Sequence, residues 1–566
     1  MPPLLQILLL LLPALGARVE YDWEISNIRV NMDSSHERLA VAVNGAVPMP
    51  LVTAQTGDTL VLRLRNSLDT GEATGLHAHG ILNNGTNYYD GAGMITECGV
   101  APNSSFAYEI PLTQAGTFWL HGHHGSQYVN GLRGALVITD PAESPDYDDD
   151  FVMTFEDWFP HASEPVPGMR HASASASASA SASTPLPPPS ERYPIGVING
   201  ANGASAPDLP FARNATYRLR LLNTGSTSMF RFAIADHDMR VIEADGISTE
   251  PRFVDSVVLG VAQRVSVLVS ARADAAPVKR SRYYVEIFSD VFPELPGYNP
   301  RLYSGSVVYA GNDNDNDADG SEDVEDANAD DAPRRPAAFD APAVFDDLHL
   351  VPLDRMPLLP PPDVTHDVIV SANRSKSDLM ATFINGISFM LPRVPSIFTA
   401  LGSLRTDASM PAASPVTGSL FGRRCNAKVL RHLDVVELFV ANTDSVTHPM
   451  HLHGHFFQIV ERGMLSGGSS NLVAPYSSAG HSRSLQRQER QYPMRRDTVL
   501  VGPGSFVRLR FRADNPGVWM FHCHIERHME LGLAMLLVSA PDVMRQTIDM
   551  PDSLIDQCRL MGVPVA

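Results

Sequence analysis

Four short segments of the sequence carry histidines two residues apart, a spacing that favours metal binding. The pairs are His77 and His79, His121 and His123, His451 and His453, and His522 and His524. On an extended strand, residues i and i+2 project from the same face about 6–7 Å apart, so each pair can direct two imidazoles to one place. Eight such imidazoles suit a cluster of more than one borderline metal ion, such as copper.

Three further residues in these segments form a second set. Cys523 lies between His522 and His524, so on a strand it points to the opposite face, and His448 is out of phase with His451 and His453. The third residue, His528, follows His524 by four residues. One thiolate and two imidazoles form the ligand set of a blue-copper electron-transfer site. Because Cys523 is adjacent in the chain to two ligands of the other cluster, an electron that reaches its sulfur has a through-bond path to the second metal group.

Two more histidines, His124 and His455, belong to the same segments but lie outside both sets. We expect them to pack or to form outer hydrogen bonds, because histidines that bind metals need such partners. Two partly exposed strand histidines would explain any single pair. Four pairs, one of them with an interleaved cysteine, favour a metal site.

The sequence between these segments indicates an all-β chain. Runs such as 59–65, 217–222 and 505–511 read as strands, and glycine, proline, asparagine and aspartate separate them. Short strands punctuated in this way are typical of β-sandwiches and barrels. Helical periodicity is weak throughout the chain.

Changes in composition predict three β domains, over residues 18–142, 143–345 and 346–566. Residues 171–190 alternate alanine and serine before a proline run, and residues 313–331 are strongly acidic. Neither segment has enough apolar side chains to offset the entropy of ordering, so we expect disordered insertions.

Overall composition excludes several classes of protein. The chain has 566 residues, 44% of them hydrophobic and 19% charged, so it is not wholly disordered. Its net charge is −20 and it contains no long basic run, which argues against phosphate-driven nucleic-acid binding. Four cysteines are too few for a disulfide scaffold.

The N-terminus has the pattern of a secretory signal peptide over residues 1–17. Its apolar run is too short to cross a bilayer, and no later stretch is long enough, so we expect no membrane span. Glycosylation triplets follow at Asn84, Asn103, Asn214 and Asn373. We therefore expect a glycoprotein that is secreted or held in the cell wall.

The four histidine segments, in this order, resemble those of the fungal three-domain multicopper oxidases, which include laccases, ferroxidases and ascorbate oxidases. Shorter motifs are similar to the iron-transport ferroxidases and pigment oxidases in particular. They are Asn84-Gly-Thr-Asn87, Glu243-Ala-Asp-Gly246, Val261-Ala-Gln-Arg264, Pro493-Met-Arg-Arg-Asp-Thr498 and Ala513-Asp-Asn-Pro-Gly-Val-Trp519. The resemblance implies three consecutive cupredoxin-like Greek-key β-barrel domains and four copper ions: one type 1, one type 2 and two type 3.

The resemblance also implies a role for each ligand. His77 and His451 would hold the type 2 copper, and His448, Cys523 and His528 the type 1 copper. The type 3 pair would be held by the remaining six histidines, which are His79, His121, His123, His453, His522 and His524. At the family's axial position this chain has Leu533, which cannot ligate, and the nearby Met529 fits a packing role better.

Further roles follow from the same resemblance. Asp90 and Glu526 match carboxylates near the trinuclear copper cluster, where reduction of O₂ consumes protons. Cys98 and Cys558 match a disulfide of laccase-type relatives, which leaves Cys425 as a buried thiol. Two positions depart from the family, since alanine at 78 and arginine at 527 replace aromatic residues.

The reducing substrate is the open question. Ferroxidases have glutamate before the tryptophan of the middle domain, whereas this chain has Asp157 before Trp158, with Glu156 adjacent. Residues 462–491 offer only Glu489 as a second iron-binding acid. These features favour a monomeric laccase-like enzyme that oxidises phenols, diphenols or pigment precursors with O₂, and Asp157 could accept the phenol proton. A ferroxidase is the alternative, and a copper-binding protein without turnover would need a broken trinuclear site.

Overall fold

The computed structural model describes most of the chain. The described residues are 16–32, 36–143, 145–160, 194–202, 205–271, 280–291, 300–309, 336–340, 346–375, 378–402, 416–465 and 491–565. Most of the predicted signal peptide, both predicted insertions and Glu489 lie outside these ranges.

Eight strands form the N-terminal domain. They are β1 (Arg18–Val30), β2 (Arg38–Val43), β3 (Val52–Gln55), β4 (Thr59–Asn66), β5 (Leu76–His79), β6 (Ser105–Pro111), β7 (Gly116–Gly122) and β8 (Arg133–Thr139). One sheet has the order β2-β1-β4-β6, and the other has the order β3-β8-β7-β5. The second sheet carries the first two histidine segments.

The middle domain contains twelve strands. They are β9 (Asp149–Trp158), β10 (Ile195–Ile198), β11 (Ala201–Asn202), β12 (Leu209–Phe211), β13 (Thr216–Asn223), β14 (Met229–Ile234), β15 (Met239–Ala244), β16 (Ile247–Val254), β17 (Val257–Leu259), β18 (Arg264–Ser270), β19 (Arg280–Phe288) and β20 (Arg301–Tyr309). Their sheets have the orders β11-β10-β9-β13-β18-β15-β16 and β12-β20-β19-β14-β17.

Eleven strands form the C-terminal domain. They are β21 (Val364–Ser375), β22 (Asp378–Ile384), β23 (Lys428–Leu430), β24 (Val435–Asn442), β25 (His448–Leu452), β26 (Phe457–Met464), β27 (Arg495–Arg496), β28 (Thr498–Val501), β29 (Ser505–Arg512), β30 (Gly517–Cys523) and β31 (Ala534–Ser539). The sheet orders are β22-β21-β24-β29-β26-β27 and β23-β31-β30-β25-β28.

Helices are few and short. The α-helices are Ala337–Asp340, Ser396–Leu401, Glu526–Glu530, Pro541–Thr547 and Asp552–Leu560, and the 3₁₀ turns are Asn87–Tyr89, Gly125–Gln127, Asp347–His349, Gly418–Phe421 and Arg423–Cys425. Within the described ranges, every helix is too short or too polar to cross a membrane.

The strands form where apolar residues follow the two-residue period of a half-buried sheet. Strand β29, Ser-Phe-Val-Arg-Leu-Arg-Phe-Arg, buries Val507, Leu509 and Phe511 and leaves the arginines between them partly exposed. Strand β31 is buried along its whole length because the sheet is covered on both faces. The all-β prediction is therefore confirmed.

The N-terminal and C-terminal domains share one apolar core. Buried side chains of β1, β4 and β8 belong to the same cluster as Phe398, Met544 and Leu554 of the C-terminal helices. This shared core brings the two domains that carry histidine segments into direct contact.

The disulfide implied by the resemblance is present between Cys98 and Cys558, which are 460 residues apart, with Cα atoms separated by 5.2 Å. Converting both cysteines to serine should lower the free energy of unfolding by about 2–5 kcal/mol, because the bond restricts a very long loop in the unfolded chain. Urea or thermal unfolding measures the loss. Reduction of the unaltered protein should give the same shift, and an unchanged midpoint would contradict the prediction.

Candidate metal centre

The predicted blue-copper ligands come together between two paired strands and a short helix. Strand β25 begins at His448 and pairs with β30, which ends at Cys523, and His528 lies in the helix Glu526–Glu530. Nδ1 of His448 lies 3.5 Å from Sγ of Cys523, and Nδ1 of His528 lies 3.7 Å from the same sulfur. All three side chains are buried, so one sulfur and two nitrogens converge on one point.

The surroundings of this site fit a metal cation. Burial raises the pKa of the Cys523 thiol well above its ordinary value, and a coordinated metal is the charge that makes such a sulfur a thiolate. Leu533 lies next to the site, since its carbonyl accepts from the Cys523 N–H and its N–H donates to the His528 carbonyl, both at 3.0 Å. Leu533 shares an apolar core with Cys523, whereas Met529 packs against a different core.

The other eight histidines form three neighbouring groups of ligand atoms. The groups are His77, His79 and His451; His79, His121 and His524; and His123, His453 and His522. Within each group the candidate ligand atoms lie within 4.8 Å of one another. These groups correspond to the type 2 and type 3 ligand sets that the resemblance implies, with His79 next to both.

Three of the four pairs are divided between groups, which differs from the geometry expected of straight strands. His77 and His79 share a group and β5 extends to His79, whereas the members of the pairs 121/123, 451/453 and 522/524 belong to different groups. The reason is that β7 ends at Gly122, β25 at Leu452 and β30 at Cys523, so the second histidine of each divided pair follows the end of a strand. The backbone turns there and directs the two imidazoles to different points.

Two strand pairs from different domains supply the eight imidazoles. In the N-terminal domain, β5 pairs with β7 so that His77 lies opposite His121. In the C-terminal domain, β25 pairs with β30 so that His451 lies opposite His522. The cluster is therefore assembled at a domain interface, and none of its ligands comes from the middle domain.

The outward ring nitrogens of several of these histidines are hydrogen-bonded to main-chain carbonyls. Nδ1 of His121 lies 3.1 Å from the Gly122 carbonyl, and Nδ1 of His522 lies 2.9 Å from the Cys523 carbonyl. Nδ1 of His451 lies 2.9 Å from the Asp497 carbonyl. Such outer contacts set the tautomer and the orientation of metal-binding imidazoles.

Six of the eight inward ring nitrogens are buried and have no protein partner among the described residues. They are Nε2 of His77, His121, His123, His451 and His524, and Nδ1 of His79. The other two, Nε2 of His453 and of His522, lie 3.1 Å from each other. Burial, followed by repulsion from neighbouring imidazoles, lowers the pKa of His121, His123 and His524 well below the usual value. Neutral imidazoles with unsatisfied nitrogens are the form that binds copper, so this donor set fits the metal.

Comparisons with known proteins agree with this geometry. Three profiles described as multicopper oxidase match residues 24–143, 149–293 and 389–543. The chain is 35% identical to the iron multicopper oxidase fer1 of Mycosarcoma maydis, over 98% of this chain and 85% of that protein. This chain belongs to the multicopper oxidase family.

Other relatives of this multicopper oxidase include both iron enzymes and a laccase. The iron transport multicopper oxidase fio1 of Schizosaccharomyces pombe is 32% identical over 96% of this chain and 80% of its own length. The crystal structure of Fet3p, described as functioning in iron import, superposes with a TM-score of 0.76 and 27% identity, covering 97% of this chain and 96% of Fet3p. A Botrytis aclada laccase gives 0.69 and 25%, covering 97% and 92%. The cupredoxin fold and the copper cofactors are thus confirmed.

Asp90 contacts two of the histidine ligands, and Glu526 is a buried acid two residues after His524 in the chain. Oδ2 of Asp90 lies 2.8 Å from Nδ1 of His453, and its carbonyl lies 2.7 Å from Nδ1 of His77. Burial opposes ionisation of Asp90, but the two histidines hold its pKa well below the usual range. Burial and then Glu530 raise the pKa of Glu526 well above its usual range.

Asp157 is fully buried, and its carboxylate holds a loop of the middle domain. Oδ1 accepts from the Ser226 N–H at 2.6 Å and from its hydroxyl at 3.0 Å. Oδ2 accepts from the N–H groups of Thr227 and Ser228, both at 2.8 Å. Glu156 is equally buried and accepts from Arg133. Both carboxylates are therefore engaged in hydrogen bonds within the protein, and a role for Asp157 in accepting a phenol proton stays a prediction.

His124 and His455 belong to none of the groups of candidate ligands. Nε2 of His124 lies 3.3 Å from Oε1 of Glu97, which also accepts from the Tyr108 hydroxyl at 2.9 Å. His455 packs against Phe511 and Trp519, with ring centroids 5.1 and 5.9 Å away. Their contacts are therefore those of packing and hydrogen-bonding residues.

Two acids that sequence reasoning missed lie beside the blue-copper ligand His448. Oδ2 of Asp444 lies 3.2 Å from Nε2 of His448, on the side of the ring away from Cys523. Oδ2 of Asp290 accepts from the N–H of Thr447 at 2.7 Å, and Asp290 lines a shallow surface depression with Pro449. Asp444 precedes His448 by only four residues, so its position in the sequence could have identified it. Asp290 comes from the middle domain, 157 residues from Thr447.

Proposed function

We propose that this multicopper oxidase oxidises Fe(II) to Fe(III) and reduces O₂ to water, the alternative that the sequence left open. The observation that carries the proposal is the hydrogen bond between Asp444 and the outer nitrogen of His448. Several relatives whose names connect a multicopper oxidase with iron or iron transport support it. The balance is four Fe(II), one O₂ and four protons to four Fe(III) and two waters.

Carboxylate oxygens are suited to bind iron at this edge of His448. Hard cations prefer oxygen ligands, and Fe(III) is harder than Fe(II), so carboxylates favour the product of electron loss. Asp444 and Asp290 approach the His448 segment from two different domains. The His448 ring then connects Asp444 to the blue-copper position, and this gives the electron a short path.

Copper held by these residues would supply single-electron transfer from the donor and the four-electron reduction of O₂. The chain's own residues supply the path and the protons. Cys523 joins the two copper regions, because it lies between His522 and His524 in the chain. We propose that Glu526, a buried acid two residues from His524 whose pKa is raised by burial and by Glu530, holds protons that water formation consumes. Asp90 would stay ionised, because His453 and His77 keep its pKa low despite burial, and would orient these two histidines.

We also propose that the enzyme acts in an oxidising compartment outside the cytosol. The Cys98–Cys558 disulfide supports such a location. The four glycosylation triplets support it as well, since Asn84, Asn103, Asn214 and Asn373 are all exposed. The apolar run within residues 1–17 supports it too, because it has the composition of a secretory signal peptide.

Steady-state oxygen uptake tests the substrate. For the copper-loaded enzyme, we expect kcat/KM for Fe(II) to exceed that for a diphenol, with saturation at low Fe(II). Asp444→Ala should lower kcat/KM for Fe(II) by about 10–100-fold, the usual cost of removing an outer partner of a metal ligand. The diphenol value should change much less, since a phenol needs no oxygen ligand.

Asp434→Ala is the matched control, because Asp434 lies in the same domain and its carboxylate contacts Arg431 on the surface. This variant should leave kcat/KM unchanged for both donors. A diphenol preferred over Fe(II) by tenfold or more in the unaltered enzyme would contradict the proposal. If Asp444→Ala lowers kcat/KM equally for both donors, Asp444 acts only through the copper ligand His448 and does not bind iron.

A further inference from the structure

The middle domain contributes no copper ligand, yet one of its side chains reaches the trinuclear ligands. Arg264 begins strand β18 and is completely buried. Its two terminal nitrogens donate to both oxygens of Asp497, at 2.8 and 2.7 Å. A two-point bond of this kind fixes the orientation of the carboxylate as well as its distance.

Asp497 in turn contacts two histidines of the cluster. Its Oδ1 lies 3.2 Å from Nε2 of His79, and its carbonyl lies 2.9 Å from Nδ1 of His451. The rings of His79 and His451 are stacked with centroids 3.8 Å apart. These two histidines come from different domains, and one group of candidate ligand atoms contains both.

Arg264 also contacts the N-terminal domain and its own domain. Its Nε donates to the carbonyl of Thr117 at 3.1 Å, and Thr117 lies on β7, the strand that carries His121. Within its own domain, Nη1 donates to the carbonyl of Ala262 at 3.1 Å, and the main-chain N–H donates to Oδ1 of Asp245 at 2.9 Å. One guanidinium thus binds the N-terminal domain, the middle domain and the C-terminal domain at once.

The charges around Arg264 explain why a cation is needed there. Asp497 and Asp245 are both buried, and Asp245 also accepts from Arg496 at 2.7 Å. Without Arg264, Asp497 would lose its bidentate cationic partner, and an unpaired buried carboxylate is strongly unfavourable. Asp497 would then rotate or draw in water, and His79 would lose its outer contact.

We propose that Arg264 is the positioning residue through which the middle domain holds the trinuclear copper centre together. It orients Asp497, and Asp497 sets the direction of His79 and His451. The inference concerns copper binding and does not depend on which donor the enzyme oxidises.

The test compares Arg264→Lys and Arg264→Met with Arg218→Lys and Arg218→Met. Arg218 is a matched control: it is buried on the neighbouring strand β13 and pairs with Glu243, which accepts from the N–H of Thr117. None of the contacts described for Arg218 reaches a copper ligand. Each variant is titrated with copper, and type 2 copper is followed by electron paramagnetic resonance. Near-ultraviolet absorption follows the type 3 pair, and the blue band follows type 1.

Both Arg264 variants should keep the blue band and bind type 2 and type 3 copper about 10–100-fold more weakly, with an altered type 2 resonance. Lysine keeps the charge but cannot form the two-point bond, so it should rescue only partly. Both Arg218 variants should keep all three signals. If the methionine variant does not fold, the lysine variant still decides the matter.

A second measurement separates positioning from general stability. In an Asp497→Asn background, Arg264→Lys should cause little further loss of type 2 signal, because the two residues act in one chain of contacts. Full type 2 and type 3 signals in the Arg264 variants would overturn the proposal. Equal loss of all three copper signals in the Arg264 and Arg218 variants would overturn it too, since that is the result of structural damage alone.

Discussion

Replacing Cys523 by serine will remove the blue absorption of this multicopper oxidase and stop oxidation of its donor. Cys523 is the sulfur on which His448 and His528 converge, and it is next in the chain to His522 and His524. A hydroxyl is a poor substitute for a soft thiolate ligand and breaks the electron path between the copper regions. The loss should exceed the roughly 10–100-fold typical of an outer-shell partner.

Absorption spectra and oxygen uptake of the copper-loaded variant measure this effect. Cys425→Ser is the control, because Cys425 is the other free cysteine among the described residues and is buried away from the candidate ligands. It should keep both the colour and the activity. A blue band in Cys523→Ser would show that the thiolate of the type 1 site lies elsewhere.

Removal of copper will cause the second large effect, a loss of stability. The inward nitrogens of the eight clustered histidines are buried together, and six of them have no described protein partner. Copper satisfies them only in the folded chain, so each site stabilises the fold by about 4 kcal/mol when free copper is 1,000 times its dissociation constant. Thermal unfolding with and without a chelator measures the difference.

Adding copper back to the copper-free, unaltered enzyme should restore its unfolding midpoint. The midpoint of His522→Gln should recover less, because one imidazole of the cluster is missing. His366→Gln should recover fully, since His366 lies on β21 and in none of the candidate ligand groups. A midpoint that is the same with and without copper would contradict the prediction.

The acids around the proposed iron site come together only in the fold. Residues 462–491 offer Glu489 as a second acid, and Glu489 lies outside the described residues. Asp444 and Asp290 contact the His448 segment from two different domains. Asp157 precedes a tryptophan in the sequence, and its carboxylate accepts hydrogen bonds from residues 226–228. The proposed iron site at Asp444 and Asp290 therefore depends on tertiary contacts that position along the chain does not reveal.

The sequence alone determined the copper chemistry and the all-β fold, because both depend on local patterns. Strand periodicity and the placement of Cys523 between His522 and His524 act over a few residues. Only the tertiary structure decided which histidines share a centre, since strands end within the pairs and two domains meet there. It also decided the role of Arg264, whose contacts with Thr117 and Asp497 span 147 and 233 residues. Contacts over such separations are set by domain packing, which no local pattern encodes.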